Sequence, residues 1–258
     1  MFTVKSNLIT MNRTFNVFLL LLTGLALMAC EPNAEESDAL PLRGKAGPAP
    51  LVERVLTAEE QAALTPEEVM ESFKAGNTRF MNNDLTARDH SAQVRNTTLG
   101  QFPKAIVLSC VDSRVPVEDV FDRGIGDIFV ARVAGNFVNE DILGSMEFAC
   151  KVSGSKLILV MGHEYCGAVK AAIAGVQLGN ITAMLTKIQP AVEMSKAFEG
   201  EQNAENNDFV HAVCESNVRN TINQIRIQSP ILKEMEDKGE IKIAGAVYNM
   251  STGKVEWL

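Results

Sequence analysis

Three short, nearly unbroken apolar runs constrain this chain most: Ala105-Ile106-Val107-Leu108-Ser109, Asp127-Ile128-Phe129-Val130-Ala131-Arg132-Val133 and Lys156-Leu157-Ile158-Leu159-Val160-Met161. A strand with one wet face alternates apolar and polar side chains, so runs without that alternation predict strands covered on both faces, as in a parallel sheet. Amphipathic stretches lie between and after them. Glu140 to Val152 puts Ile142, Leu143, Met146, Ala149 and Cys150 on one helical stripe, and Ala168 to Val176 does so with Val169, Ala172, Ile173 and Val176. A longer helix is predicted around Val210 to Ile227, with Cys214, Val218, Ile222 and Ile225 on one side, and a strand at Ile241 to Tyr248. Upstream, Thr65-Pro66-Glu67-Glu68 reads as a capping box with proline at the first helical position, and Val69, Phe73 and Phe80 carry on the period. A helix from 66 to about 82 is expected. The alternation of β and α predicts an α/β fold, a single domain with a mostly parallel central sheet flanked by helices.

The first residues do not belong to that pattern. Lys5 and Arg13 flank an apolar run from Phe15 to Met28 that ends at Ala29-Cys30. About fourteen residues fall short of the roughly twenty that span a bilayer and fit the h-region of a secretory signal peptide. A signal peptide is therefore expected over residues 1–29, with Met11-Asn12-Arg13 offering a shorter start. The Leu27-Met28-Ala29-Cys30 ending resembles the lipobox of bacterial lipoproteins, which implies lipidation of Cys30 and an exported, periplasmic or cell-envelope protein. After it, Pro32, Pro41, Pro48, Pro50, Gly44 and Gly47 interrupt any apolar period. Residues 30–56 read as a flexible tether and 57–258 as the folded domain. The chain carries 24 Lys and Arg against 32 Asp and Glu, a formal charge of −8, and residues 1–29 hold two of the bases and none of the acids. That balance argues against a nucleic-acid partner and leaves an acyl group on Cys30 as the only membrane attachment indicated.

Chemistry in a parallel sheet gathers outside the carboxyl ends of the strands. Cys110 ends the first run, His163 follows the third, and Cys166 comes three residues later. Two thiolates and one imidazole make a soft three-ligand set suited to Zn²⁺, with a fourth tetrahedral position left for solvent. Alone, His-x-x-Cys is a weak signal, and a buried thiol is often just a small hydrophobe. The convergence of three such groups at strand ends, beside Asp112 and Arg114, is what points to a metal. If the backbone stays extended after Cys110, residues 110 and 112 face the same way with Cα atoms about 6.6 Å apart. Asp112 could then become the fourth ligand, or Arg114 could hold its carboxylate away through a bidentate pair. Cys150 and Cys214 lie on apolar helix stripes and are expected in the core, where an oxidising compartment would permit a disulfide between them. His90 and His211 read as solvated side chains.

Cys110-Val111-Asp112-Ser113-Arg114, Arg132-Val133-Ala134-Gly135-Asn136 and His163-Glu164-Tyr165-Cys166-Gly167-Ala168 together resemble the motifs of the β-class carbonic anhydrases. The similarity runs from about Thr65 to the C-terminus. It implies one Zn²⁺ per chain on Cys110, His163 and Cys166, a gating pair in Asp112 and Arg114, and Gly167 lining the solvent position. It further implies that Gln101 and Phe129 reach into a site across a dimer interface, in a homodimer or higher even oligomer. The activity implied is reversible hydration of CO₂ to bicarbonate and a proton through a zinc-bound hydroxide. Two positions depart from the pattern: Phe148 stands near a residue that is often tyrosine in plant members, and Val133 where many members have asparagine. Both affect hydrogen bonding around the site rather than the ligands. Rival readings are a structural-zinc or non-catalytic bicarbonate-binding protein with Asp112 closing the coordination, and a hydrolase of carbonyl sulfide or carbon disulfide on the same site. Arg114 opposes the structural-zinc reading, because a purely structural site has no use for a group that pulls the carboxylate away. A thiol redox role is disfavoured by the absence of a C-x-x-C pair.

Overall fold

The computed structural model describes residues 50–258. The expected signal peptide, Cys30 and the tether up to residue 49 lie outside the described residues. Five strands form one sheet in the order β2-β1-β3-β4-β5: β1 (Ala105–Ser109), β2 (Ile128–Arg132), β3 (Leu157–His163), β4 (Lys242–Tyr248) and β5 (Val255–Trp257). β2, β1, β3 and β4 run parallel, and β5 turns back antiparallel on β4. β1 and β3 are covered on both faces as expected, every residue buried, whereas β2, whose run predicts the same, lies at the sheet edge and is only half-buried, because no strand pairs on its outer side. Period-two alternation still sorts them. Ile106, Leu108, Ile158 and Val160 pack with Met146, Val218 and Leu232 on one face, and Ala105, Val107, Leu157, Leu159 and Met161 with Phe73 and Phe121 on the other. Full burial of such a side chain stabilises by about 1.5 to 3 kcal/mol, so the two faces together hold the sheet closed.

The helices are α1 (Ala58–Ala63), α2 (Pro66–Met81), α3 (His90–Asn96), α4 (Val117–Val120), α5 (Glu140–Glu147), α6 (Gly167–Ile173), α7 (Gly179–Leu185), α8 (Gln189–Met194), α9 (Asn207–Gln228) and α10 (Pro230–Asp237). α2 starts at the predicted capping box, with Thr65 Oγ1 accepting from Glu68 N and Glu68 Oε2 from Thr65 N. The helix expected over Glu140 to Val152 is α-helical only to Glu147 and then becomes a π-helical turn, Phe148–Val152. That turn keeps Ala149 and Cys150 buried while Phe148 points out, its ring edge-on to Phe129 at 6.3 Å between centroids.

Some features differ from the sequence expectation. β5 and several short helices were not anticipated, and the helix following β1 is a single turn. Val52 bridges to Arg88, its N–H reaching Ala87 O at 2.8 Å, so backbone pairing begins ahead of Thr57, within the stretch assigned to the tether. Cys150 and Cys214 are buried in the same core cluster as free thiols, not a disulfide.

Candidate metal centre

A third apolar cluster roofs the C-terminal ends of the sheet, and it contains Cys110 and Cys166 together with Val169, Ile188, Phe209 and Val213. Cys110 directly follows β1, His163 is the last residue of β3, and Cys166 is the N-cap of α6. β1 and β3 are neighbours with Ser109 paired to Met161, so the ladder itself brings the loops that carry Cys110, His163 and Cys166 together. Sγ of Cys110, Sγ of Cys166 and a ring nitrogen of His163 all lie within 4.8 Å of one another, and all three residues are buried. The two sulfurs are 4.0 Å apart. Zn–S bonds of about 2.3 Å at a tetrahedral angle place two sulfurs about 3.8 Å apart, close to what is seen.

The imidazole fits the same purpose. His163 Nδ1 is 2.8 Å from Glu164 O, and a carbonyl can only accept, so Nδ1 carries the proton and Nε2 keeps its lone pair. That Nε2 is buried, has no hydrogen-bond partner among the described residues and lies 3.8 Å from Asp112 Oδ2. A lone pair and a carboxylate facing one another beside two sulfurs is a poor arrangement by itself, and a cation among them satisfies all of it. The thiols show the same tension. Cys110 is held down, chiefly by the hydrogen bond from Cys166 and with help from the Gly135 N–H. Sharing with Cys110, together with burial, pushes Cys166 far up. A divalent ion removes that asymmetry, because it takes both as thiolates.

The Val133 to Asn136 loop closes over Cys110. Gly135 N–H donates to Cys110 Sγ at 3.4 Å, and it can do so because Gly135 adopts φ +83, a conformation costly for a residue with a Cβ. α9 fixes this loop: Asn217 Nδ2 donates to Gly135 O at 2.8 Å and Thr221 Oγ1 to Asn136 O at 3.2 Å. Val133 contributes its N–H to Ser109 O at 3.2 Å and packs its partly buried side chain against the core. At Gly162, a Cβ would come 2.8 Å from Cys214 Sγ, so β3 and α9 approach closely just before the ligand loop.

Asp112 and Arg114 form the bidentate pair. Arg114 Nε donates to Oδ1 at 2.9 Å, Nη2 to Oδ2 at 2.8 Å, and the Arg114 backbone N–H to Oδ1 at 3.0 Å. The Arg114 guanidinium holds the Asp112 carboxyl well below the usual carboxylate range. Gly167 begins α6, and nothing lies within 4 Å of where its Cβ would be, which leaves space beside Cys166. Within one chain Gln101 and Phe129 are not brought to this cluster: Gln101 is exposed ahead of β1, and Phe129 faces Phe148 along the β2 edge. The hydrogen bond from the Gly135 N–H to Cys110 and the orientation of Glu164 are not readable from the motifs alone. The adjacent Gly135 and Asn136, residue types that tolerate the left-handed conformation found there, were the available signal for the first.

A sequence model of the carbonic anhydrase family matches residues 105–255. The carbonic anhydrase of Mycolicibacterium smegmatis is 30% identical over 197 residues, 74% of this chain and 92% of that protein. Carbonic anhydrase 2 of Mycobacterium tuberculosis is 31% identical over 198 residues, 73% of this chain and 91% of that one. Among solved structures, the Coccomyxa β-carbonic anhydrase in complex with acetazolamide shares 25% identity at a TM-score of 0.59, covering 74% of this chain and 84% of that chain. The β-carbonic anhydrase CafA of Aspergillus fumigatus has the same fold, with a TM-score of 0.58 at 22% identity over 74% of this chain and 89% of its own.

Proposed function

Because the chain belongs to the β-class carbonic anhydrases, lyases that hydrate carbon dioxide, we propose that Cys110, His163 and Cys166 hold one zinc ion and that CO₂ and bicarbonate interconvert beside it. The observation that carries this reading is the unpartnered, buried Nε2 of His163 among two buried thiols and a carboxylate. When bound, zinc supplies Lewis acidity that brings the ionisation of water to near neutral pH. The rest of the work falls to the chain. Asp112 stays ionised under its three hydrogen bonds from Arg114, and Oδ2 accepts a proton-bearing O–H of the reacting water, aiming its lone pair at CO₂. Arg114 also spends the carboxylate's lone pairs, which keeps Asp112 from ligating the metal itself. The open space at Gly167 gives a linear substrate room to approach.

The site is completed in a dimer, with Gln101 and Phe129 of one chain facing the cluster of the other. β2 is a sheet edge whose residues are only half-buried, and Phe148 beside Phe129 is 52% exposed, which supports a partner at that edge. The Cys30 sequence supports export and lipid anchoring, to be tested by metabolic labelling with a fatty acid. The activity itself is tested by stopped-flow CO₂ hydration with zinc-loaded full-length protein. Turnover above the buffer blank is expected, and none would refute the enzyme reading.

A further inference from the structure

Glu164 lies between two ligands yet turns its carboxylate away from them. Oε2 accepts from Met250 N at 3.0 Å and Oε1 from Asn249 Nδ2 at 3.2 Å, both in the turn that joins β4 to β5. Its N–H donates to Tyr248 O at 3.1 Å, one rung beyond the last β3–β4 pair. Its own carbonyl is the acceptor, at 2.8 Å, for Nδ1–H of His163. One residue therefore links the ligand imidazole to a hairpin more than eighty positions away in the chain.

That hairpin is stiff. Asn249 Oδ1 accepts from Ser251 N at 3.0 Å, Thr252 N at 2.9 Å and Thr252 Oγ1 at 2.9 Å. Asn77 of α2, itself buried, accepts from Val255 N at 2.9 Å and donates to Gly253 O at 2.8 Å. The ligand loop, in contrast, contains a strained residue: Tyr165 has φ +56 without being glycine. Such a conformation is costly for a residue with a Cβ and persists only where its surroundings over-determine it. The Glu164 carboxylate provides that determination, fixing the peptide whose oxygen selects the imidazole tautomer and whose next bonds lead to Cys166.

We propose that Glu164 is a positioning residue of the metal centre, clamped to the β4–β5 turn so that His163 Nε2 and Cys166 Sγ stay aimed at one point. The inference rests on Cys110, His163 and Cys166 being the ligands. Groups that orient ligating histidines without touching the metal change affinity by about ten- to a hundredfold when removed.

The test uses full-length chain loaded with zinc, and separately with cobalt, comparing Glu164→Ala, Glu164→Gln and a control, Glu67→Ala, which removes an exposed carboxylate. Zinc release into excess chelating dye is expected to speed up by about ten- to a hundredfold in Glu164→Ala. Glu164→Gln keeps the shape but turns a donor toward Met250 N or Asn249 Nδ2, and is expected to release zinc about tenfold faster. The control should match the unsubstituted chain. The cobalt absorption bands, which report ligand geometry, should shift in both Glu164 variants, an effect that lost fold stability alone does not produce. If Glu164→Ala fails to fold, Glu164→Gln decides by the same two readouts. Normal loading, release within roughly twofold of the unsubstituted chain and unaltered cobalt spectra overturn this inference alone. An unsubstituted chain that takes up neither metal overturns the ligand assignment, and the inference with it.

Discussion

Replacing Asp122 with asparagine removes one charge from a fully buried carboxylate that ties α2 and the residues after it to the end of α4. Oδ1 accepts from Thr86 N at 3.0 Å and Arg88 Nη1 at 2.6 Å, and Oδ2 from Thr86 Oγ1 at 2.7 Å and Arg79 Nε at 2.5 Å. Burial pushes this carboxyl up, but the hydrogen bonds from Thr86, Arg88 and Arg79 outweigh it and hold it at about 2, against 3.8 ordinarily. The folded value is the lower one, so the stabilisation is complete above about pH 4 and is lost as pH falls toward about 2. That difference corresponds to about 2 kcal/mol, which screening by nearby solvent trims to between about 1 and 2. Substitution costs more than protonation, because the amide also fixes a donor against one of the two arginines, Arg88 at the Oδ1 position or Arg79 at the Oδ2 position. About 3 kcal/mol is expected, the low end for breaking a buried ion pair. The backbone adds little, since asparagine tolerates the φ of +51 found there as well as aspartate does. For a domain of this size the melting temperature should fall by about 6 to 12 °C. Urea unfolding followed by Trp257, the single tryptophan, whose ring is 6.4 Å from that of Phe121, measures the change at neutral pH and at about pH 3. The gap between variant and unsubstituted chain should narrow at the lower pH. A gap under about 0.5 kcal/mol at neutral pH, or one that pH leaves untouched, refutes the reasoning.

Cys166→Ala should bring zinc content to background by elemental analysis and CO₂ hydration to the buffer rate, and stoichiometric zinc would mean the ligand set is wrong. Arg114→Ala should leave zinc in place while turnover drops about a hundredfold, because Asp112 is no longer held in its orienting position. Near-normal rates would dismiss the clamp. Gly135→Ala must place a Cβ 2.4 Å from Ile188 Cδ1 at φ +83. It should cost about 1 to 2 kcal/mol in denaturant unfolding and release zinc faster, and an unchanged midpoint would show that the loop relaxes.

The first three strands and α2 were legible because their signals are local: nearly unbroken apolar runs for β1 to β3, and Thr65 with Glu68 for the helix start. The gathering of Cys110, His163 and Cys166 was legible because residue type and position at strand ends agree without any tertiary knowledge. β5 was not, since Val255-Glu256-Trp257 is three residues long and becomes a strand only by pairing with β4. The π-helical turn was hidden for a similar reason: the apolar stripe through Cys150 is what a continuous helix would show. α10 did carry a readable start, Ser229 before Pro230, with Ser229 Oγ accepting from Leu232 N. Glu164 illustrates the opposite limit. Its partners Asn249 and Met250 are remote in sequence, and within the motif a carboxylate gives no sign of which way it faces.

β1 and β3 are inner strands that end in the loops carrying Cys110, His163 and Cys166, each bonded on both sides, so these side chains inherit the rigidity of the most enclosed part of the sheet. Gathering them is a by-product of sheet formation, unlike in a zinc finger, where the ion must organise an otherwise unstructured peptide. Metal capture should therefore come late and quickly, into a receptacle that already exists, and stripping the ion should leave a folded, refillable protein.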